Sequence, residues 1–223
     1  MSEEILREIV FDVETTGFEA HNGHRMVEIG AVELINKKVT GQFFHTYINP
    51  ERDMPKSAER VHGLTIDFLQ DKPLFKEIID EFLSFLKNDK LVIHNAPFDM
   101  GFLNHHLQEL KKKPLPFSRA IDTLEIARKK FPGAKATLDA LCTRYNVSLE
   151  HRDKHGALLD AGLLAEVYIK MVGMNQGQLN LSPELKRQQE IIKRAKPLKL
   201  ARNFQVSEEE LLLHAEFIKK IGL

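Results

Sequence analysis

The apolar positions of this chain change their period several times, and each change marks an element. Ile9, Val10, Phe11 and Val13 form a β-branched and aromatic run that is apolar on both faces, as a central strand of a covered sheet reads. It ends in Asp12, Glu14 and a Thr15-Thr16-Gly17 turn. Met26–Ile35 (MVEIGAVELI) and residues 42–48 (QFFHTYI) read as two further strands joined by the polar residues 36–41, which predicts an antiparallel meander ended by Asn49-Pro50. Residues 57–69 are polar and turn-rich. Beyond them Phe75, Ile78, Ile79, Phe82, Leu83 and Leu86 recur at helical spacing, and Leu91, Val92, Ile93 and His94 follow as a buried-type strand. Asn95 is a candidate cap and Pro97 a candidate first-turn residue of the next helix.

In that helix Phe102, Leu103, His106, Leu107 and Leu110 all follow Asp99 at helical offsets, so the stripe that seals the core carries an acid at its start. Lys111, Lys112 and Lys113 close the helix with the charge that its dipole favours. Residues 120–127 fit a strand or a helix equally well. Thr137 is placed to cap a helix through Leu138, Leu141 and Tyr145. Within residues 151–171, Asp160 precedes Leu163, Leu164, Val167 and Tyr168 at helical offsets, with His155 shortly before it. Strands first, then strand-helix units, predict an α/β fold: a mixed sheet with helices on both faces.

From Gly173 the chain turns rich in Gly, Asn and Gln, as a linker does. Residues 184–199 are charged without a clear stripe. Residues 207–221 regain helical order, with Ser207 and Glu210 matching a capping box and Lys219 and Lys220 in the last turn. A lone helix of that length is marginal in water, so it is expected to fold against another protein.

Composition narrows the function classes. The 223 residues carry 32 basic and 32 acidic side chains, a formal charge of zero. A protein that grips duplex DNA by its backbone is usually basic, so neutrality favours contact with a few nucleotides or a partner that supplies affinity. One cysteine, Cys142, excludes an intramolecular disulfide and a cysteine metal cluster and suits a reducing cytoplasm. No apolar run reaches the length of a membrane helix, and the acidic N-terminus lacks the apolar core of a signal peptide. The expectation is a soluble, cytoplasmic protein.

The chemistry lies in the acids. Side chains alternate along a strand, so Asp12 and Glu14 share a face about 7 Å apart. Buried together they repel, and at least one stays protonated unless a cation compensates them. Oxygen ligands favour Mg²⁺ or Mn²⁺ over zinc. Alone, Asp-X-Glu is more often a capped, solvated turn, and an Asp in a first helical turn is more often a dipole partner than a ligand. Four acids on three elements (Asp12 with Glu14, Asp99, and Asp160), with His155 nearby, exceed what capping explains. Glu28, on the second strand, reads as hydrogen-bonding or solvent-facing and is assigned no chemistry.

The motifs FDVETTG, HNAPFDMGFL and HGALLDA, in that order and with VHGLT around His62, resemble those of the DEDD 3′–5′ exonucleases in their histidine-containing branch, over about residues 7–172. Within the branch they are most similar to the proofreading epsilon subunits of bacterial DNA polymerase III. The resemblance implies an RNase H-like sheet whose Asp12, Glu14, Asp99 and Asp160 hold two divalent cations, Mg²⁺ or Mn²⁺, about 4 Å apart. It implies that Asp12 bridges both ions, that Glu14 and Asp160 complete one site, and that Asp99 reaches the other. His155 becomes the general base, a role that suits an imidazole near neutral pH. Thr15, Thr16 and Gly17, beside Asp12, Glu14 and Asp160, would hold the terminal nucleotide, with His62 and Phe98 as base or sugar contacts; Phe98 fits the core equally well. His94 and Asn95 read as structural, and His21, His24, His105, His106 and His151 as surface or helix-face residues.

The expected activity is release of 5′-mononucleotides from the 3′ end of single-stranded DNA, editing for a replicative polymerase. An RNA- or oligonucleotide-trimming relative is the alternative, and a non-catalytic binding module is disfavoured by the intact acids. The resemblance divides the chain into an exonuclease domain (1–172), a linker (173–206) and a helix docking on the polymerase catalytic subunit (207–223). Gln178, Leu179, Asn180 and Leu181 resemble a sliding-clamp-binding peptide, with Ser182 where an aromatic is expected. A tether would replace intrinsic DNA affinity by local concentration. A small accessory subunit is left open.

Overall fold

In a computed structural model, which describes residues 5–150, 152 and 154–173, the chain builds one five-stranded sheet of order β3-β2-β1-β4-β5. The first three strands, β1 (Arg7–Thr15), β2 (Met26–Ile35) and β3 (Lys38–Tyr47), form the predicted antiparallel meander. β4 (Lys90–Ile93) lies parallel to β1, and β5 (Ala120–Asp122) parallel to β4. The helices are α1 (Lys56–His62), α2 (Ile66–Leu69), α3 (Phe75–Leu86), α4 (Ala96–Glu109), α5 (Thr123–Lys130), α6 (Leu138–Arg144) and α7 (Ala157–Met171).

The apolar run of β1 is central because both its faces are covered. Ile9, Phe11 and Val13 pack into a core with α3 and α4, around Phe82, Met100 and Leu103. Val10 points the other way, into a second core with α6 and α7, around Leu141, Leu164 and Val167. By the same alternation Asp12 and Glu14 project on the α7 side. Gly30, paired with Asp12 across the β1–β2 ladder, lets α7 settle there. A Cβ at Gly30 would stand 2.1 Å from the Leu158 backbone nitrogen, so a side chain there would push off the turn that carries Asp160.

Four stretches differ from the sequence reading. Residues 36–41 are no loop: Asn36 and Lys37, at φ 50° and 61°, make a two-residue hairpin turn, and β3 starts at Lys38. The turn-rich residues 57–69 fold as α1 and α2, closed or opened by Gly63 (φ 76°) and by Thr65, whose hydroxyl accepts from the Phe68 N–H. Residues 120–127 are both elements in succession, β5 and then α5. Asn95 does not cap α4; it sits at φ 71°, and Asp122 accepts from the Asn95 and Ala96 N–H groups while capping α5. Thr137 caps α6 as expected. The linker, the clamp-like peptide and the 207–221 helix lie outside the described residues. No helix among the described residues is long and apolar enough to cross a membrane.

Candidate active site

β1 ends in its two acids at the edge where α4 and α7 begin. Asp99 and Asp160 both stand in first helical turns, which face this strand end from the two sides of the sheet. Glu14, Asp99 and Asp160 are 8%, 2% and 4% exposed, and Asp12 is partly exposed; carboxylates this buried need compensation. The Val13 N–H donates to Asp99 Oδ1 at 3.1 Å, tying α4 to the strand between the two strand acids.

The four acids act on one another. Burial, followed by the charges of Asp99, Glu14, Asp160 and Glu28, pushes the Asp12 carboxyl well above its ordinary range. Burial and the charges of Glu28, Asp160 and Asp99 do the same to Glu14. Asp99 is pushed up to about 8 by burial, against its backbone donors. Asp160 alone moves down: burial opposes it, but hydrogen bonds from Arg152 and His155 prevail. Arg152 Nε and Nη2 reach the two Asp160 oxygens at 2.6 and 2.7 Å, and its Nη1 pairs with Asp139. His155 Nδ1 lies 3.0 Å from Asp160 Oδ2 and 2.9 Å from Arg152 Nη2.

The sequence reading missed three participants. Arg152 stands in an irregular segment before α7, where no periodicity reports on contacts. Glu28 sits directly opposite Glu14 in the β1–β2 register and is 2% exposed, so it does not face solvent. Its carboxylate meets His45 Nε2 at 2.8 Å, and the strand pairing alone could have placed it. His24 is not a free surface residue. Its Nδ1 lies 3.1 Å from Thr16 Oγ1, which also accepts from the Arg25 N–H, and its ring covers Gly17 so closely that a Cβ there would stand 2.3 Å away. His24 thus pins the Thr15–Gly17 turn, helped by the Thr15 hydroxyl donating to the Gly17 carbonyl at 2.6 Å.

Around that turn, His62 at the end of α1 is 6% exposed. Its Nδ1 accepts from the Leu64 N–H at 3.0 Å, its Nε2 has no hydrogen-bond partner among the described residues, and burial lowers it to about 4. Phe98 packs on Phe102, with centroids 5.1 Å apart, and remains partly exposed beside the core. His94 meets the Thr123 hydroxyl at 3.0 Å, a structural role. His106 is buried rather than on a helix surface, with Nδ1 2.8 Å from the Phe102 carbonyl. Cys142 is buried and its thiol pushed up to about 11 by that burial, so it is inert.

The residues fit a hard divalent cation. Ligand atoms of Glu14, His155 and Asp160 all lie within 4.8 Å of one another, and Asp12 and Asp99 are carboxyls next to them whose titration burial raises.

Comparison with known proteins gives the same centre a family. A family model described as "Exonuclease" matches residues 9–168. A DNA polymerase III subunit epsilon of Rickettsia felis is 50% identical over 231 residues, covering 97% of each chain. That of Salmonella typhimurium is 45% identical, covering 96% of this chain and 93% of its own. Among solved structures, the nuclease domain of a 3′ exonuclease, a DEDDh family member bound to rAMP, superposes with a TM-score of 0.66 at 18% identity, over 77% of this chain and 94% of that one. Exonuclease X in complex with 5′ overhanging duplex DNA gives 0.60 at 23%, over 80% and 98%. These two share the fold. With an exonuclease domain spanning both cores and relatives half-identical along nearly the whole length, the chain belongs to the exonuclease family and, within it, to the DNA polymerase III epsilon subunits.

Proposed function

We propose that this protein is the proofreading 3′–5′ exonuclease of a bacterial DNA polymerase III. It is a divalent-metal-dependent enzyme that removes 5′-mononucleotides from DNA 3′ ends. The observation that carries the reading is the meeting of four acids from β1, α4 and α7 beside His155, with Arg152, among the described residues, the guanidinium set against them.

In this reading Asp12, Glu14, Asp99 and Asp160 would hold two cations, Mg²⁺ or Mn²⁺. When bound, these supply electrostatic stabilisation of the transferring phosphoryl group and activation of water. His155 takes the proton of the attacking water. In the tautomer whose Nδ1–H is turned to Asp160 Oδ2, 3.0 Å away, the Nε2 lone pair is free to act as base. Thr15, Thr16 and Gly17, braced by His24, present the backbone that seats the terminal nucleotide, with His62 beside the Thr15 backbone as a further contact. Phe98 offers the exposed part of its ring to the base.

The chain is read as an exonuclease domain (1–172), a linker (173–206) and a polymerase-docking helix (207–223). Clamp contact through Gln178–Leu181 is a further element of the proposal. Digestion of 3′-labelled single-stranded DNA beside RNA of the same sequence, with Mg²⁺ and with EDTA, tests the activity. Mononucleotide release from DNA that EDTA abolishes is expected, and a preference for RNA would favour the oligoribonucleotide-trimming alternative. A chain lacking residues 174–223 should keep the nuclease and lose the polymerase, and co-purification of that form with the polymerase would refute the tether.

A further inference from the structure

The geometry points to Lys154 as a positioning residue for His155, through a clasp that ties the segment before α7 to the end of α1. It rests on the reading of His155 as the base and extends it. The His155 side chain is 47% exposed, so packing alone does not hold its ring. Two tethers are side-chain, both at Nδ1: to Asp160 on α7 and to Arg152. A third is at the backbone. The His155 N–H donates to the Val61 carbonyl at 3.3 Å, and next to it Lys154 Nζ donates to the Arg60 carbonyl at 2.6 Å.

Both acceptors lie in the last turn of α1, whose final carbonyls have no partner within the helix. A lysine at a helix C-terminus also meets the negative end of the dipole. The fit includes the lysine stem. Gly63, at φ 76°, closes α1, and the Lys154 Cγ and Cδ pass 3.7 and 3.8 Å from where a Gly63 Cβ would stand. The exposed lysine is therefore laid along α1 by both its ammonium and its methylenes.

The consequence is functional because of what each end of the clasp carries. α1 ends in His62, the candidate contact to the terminal nucleotide, and the clasped segment carries His155. Seating the nucleotide and aiming the base then depend on one junction. Displacement of a catalytic group by about 1 Å is enough to slow a reaction substantially. Lys154 never touches substrate in this scheme; it acts through His155.

The test uses the full-length chain on single-stranded DNA with saturating Mg²⁺. Lys154→Met keeps the stem and removes the donor; it should lower kcat about tenfold, with a smaller change in KM and an unchanged Tm. Lys154→Arg, which restores a donor, should recover most of the rate. In a His155→Ala background Lys154→Met should have no further effect, because its partner is gone. Wild-type kcat in Lys154→Met beside a slow His155→Ala would overturn the clasp and leave the base in place. A Lys154→Met loss that persists in the His155→Ala background would also overturn it. An undiminished rate in His155→Ala would instead remove the base reading.

Discussion

The two ends of β1 treat buried charge in opposite ways. At the entry, Arg7 reaches Glu33, Asp89 and the Phe85 carbonyl, and Glu8, 1% exposed, takes Lys37 and the Tyr168 hydroxyl at 2.8 Å. At the exit, Asp12 and Glu14 face Asp99, Asp160 and Glu28, and among the described residues the one guanidinium present, that of Arg152, serves Asp160. The first end is neutralised inside the chain and contributes stability. Among the described residues the second gathers more carboxylates than cations, which is why it is the end proposed to take external cations and chemistry.

Substitutions can break this contrast. The largest effect should come from Asp12→Ala or Asp160→Ala, each lowering hydrolysis of 3′-labelled DNA by about 1,000-fold, equivalent to about 4 kcal/mol, with the circular dichroism of the fold kept. Substantial Mg²⁺-dependent activity in either would undo the assignment. Glu8→Ala should do the reverse: it strands Lys37 at the other strand end and lowers unfolding stability by about 3 kcal/mol, while the folded fraction keeps wild-type specific activity. Denaturant titration beside the nuclease assay separates the two. His155→Ala should slow turnover about 100-fold with metal binding largely retained, as isothermal titration with Mn²⁺ can check.

A further effect is on pH dependence. Asp99 titrates at about 8 in the fold against an ordinary 3.8. A raised carboxyl contributes its stability in full below the ordinary value and loses it as pH rises through the folded one. In EDTA the urea midpoint should therefore fall between pH 4 and 8, the window set by those two values. Asp99→Asn should make that fall shallower, and a midpoint equally pH-dependent in the variant would contradict it.

Much of this was legible in one dimension. The double-sided apolar run of β1 announced a central strand, and the stripes of α3, α4 and α7 announced helices, because burial imposes its period on sequence. The acids were visible as interruptions of those stripes. The two-residue length of the turn at Asn36–Lys37 was not, since its left-handed backbone is adopted without glycine.

The sequence by itself determined the elements that carry an apolar period, the four acids and the family likeness, all of which are properties of residue type and spacing. Tertiary structure alone decided which groups share a field. Glu28 faces Glu14 through strand register, Arg152 reaches Asp160 from an irregular segment, His24 locks Gly17, and Gly30 admits α7 through the absence of a side chain. Charge and steric interactions depend on distance in space, and the chain encodes that distance only through the packing of distant elements.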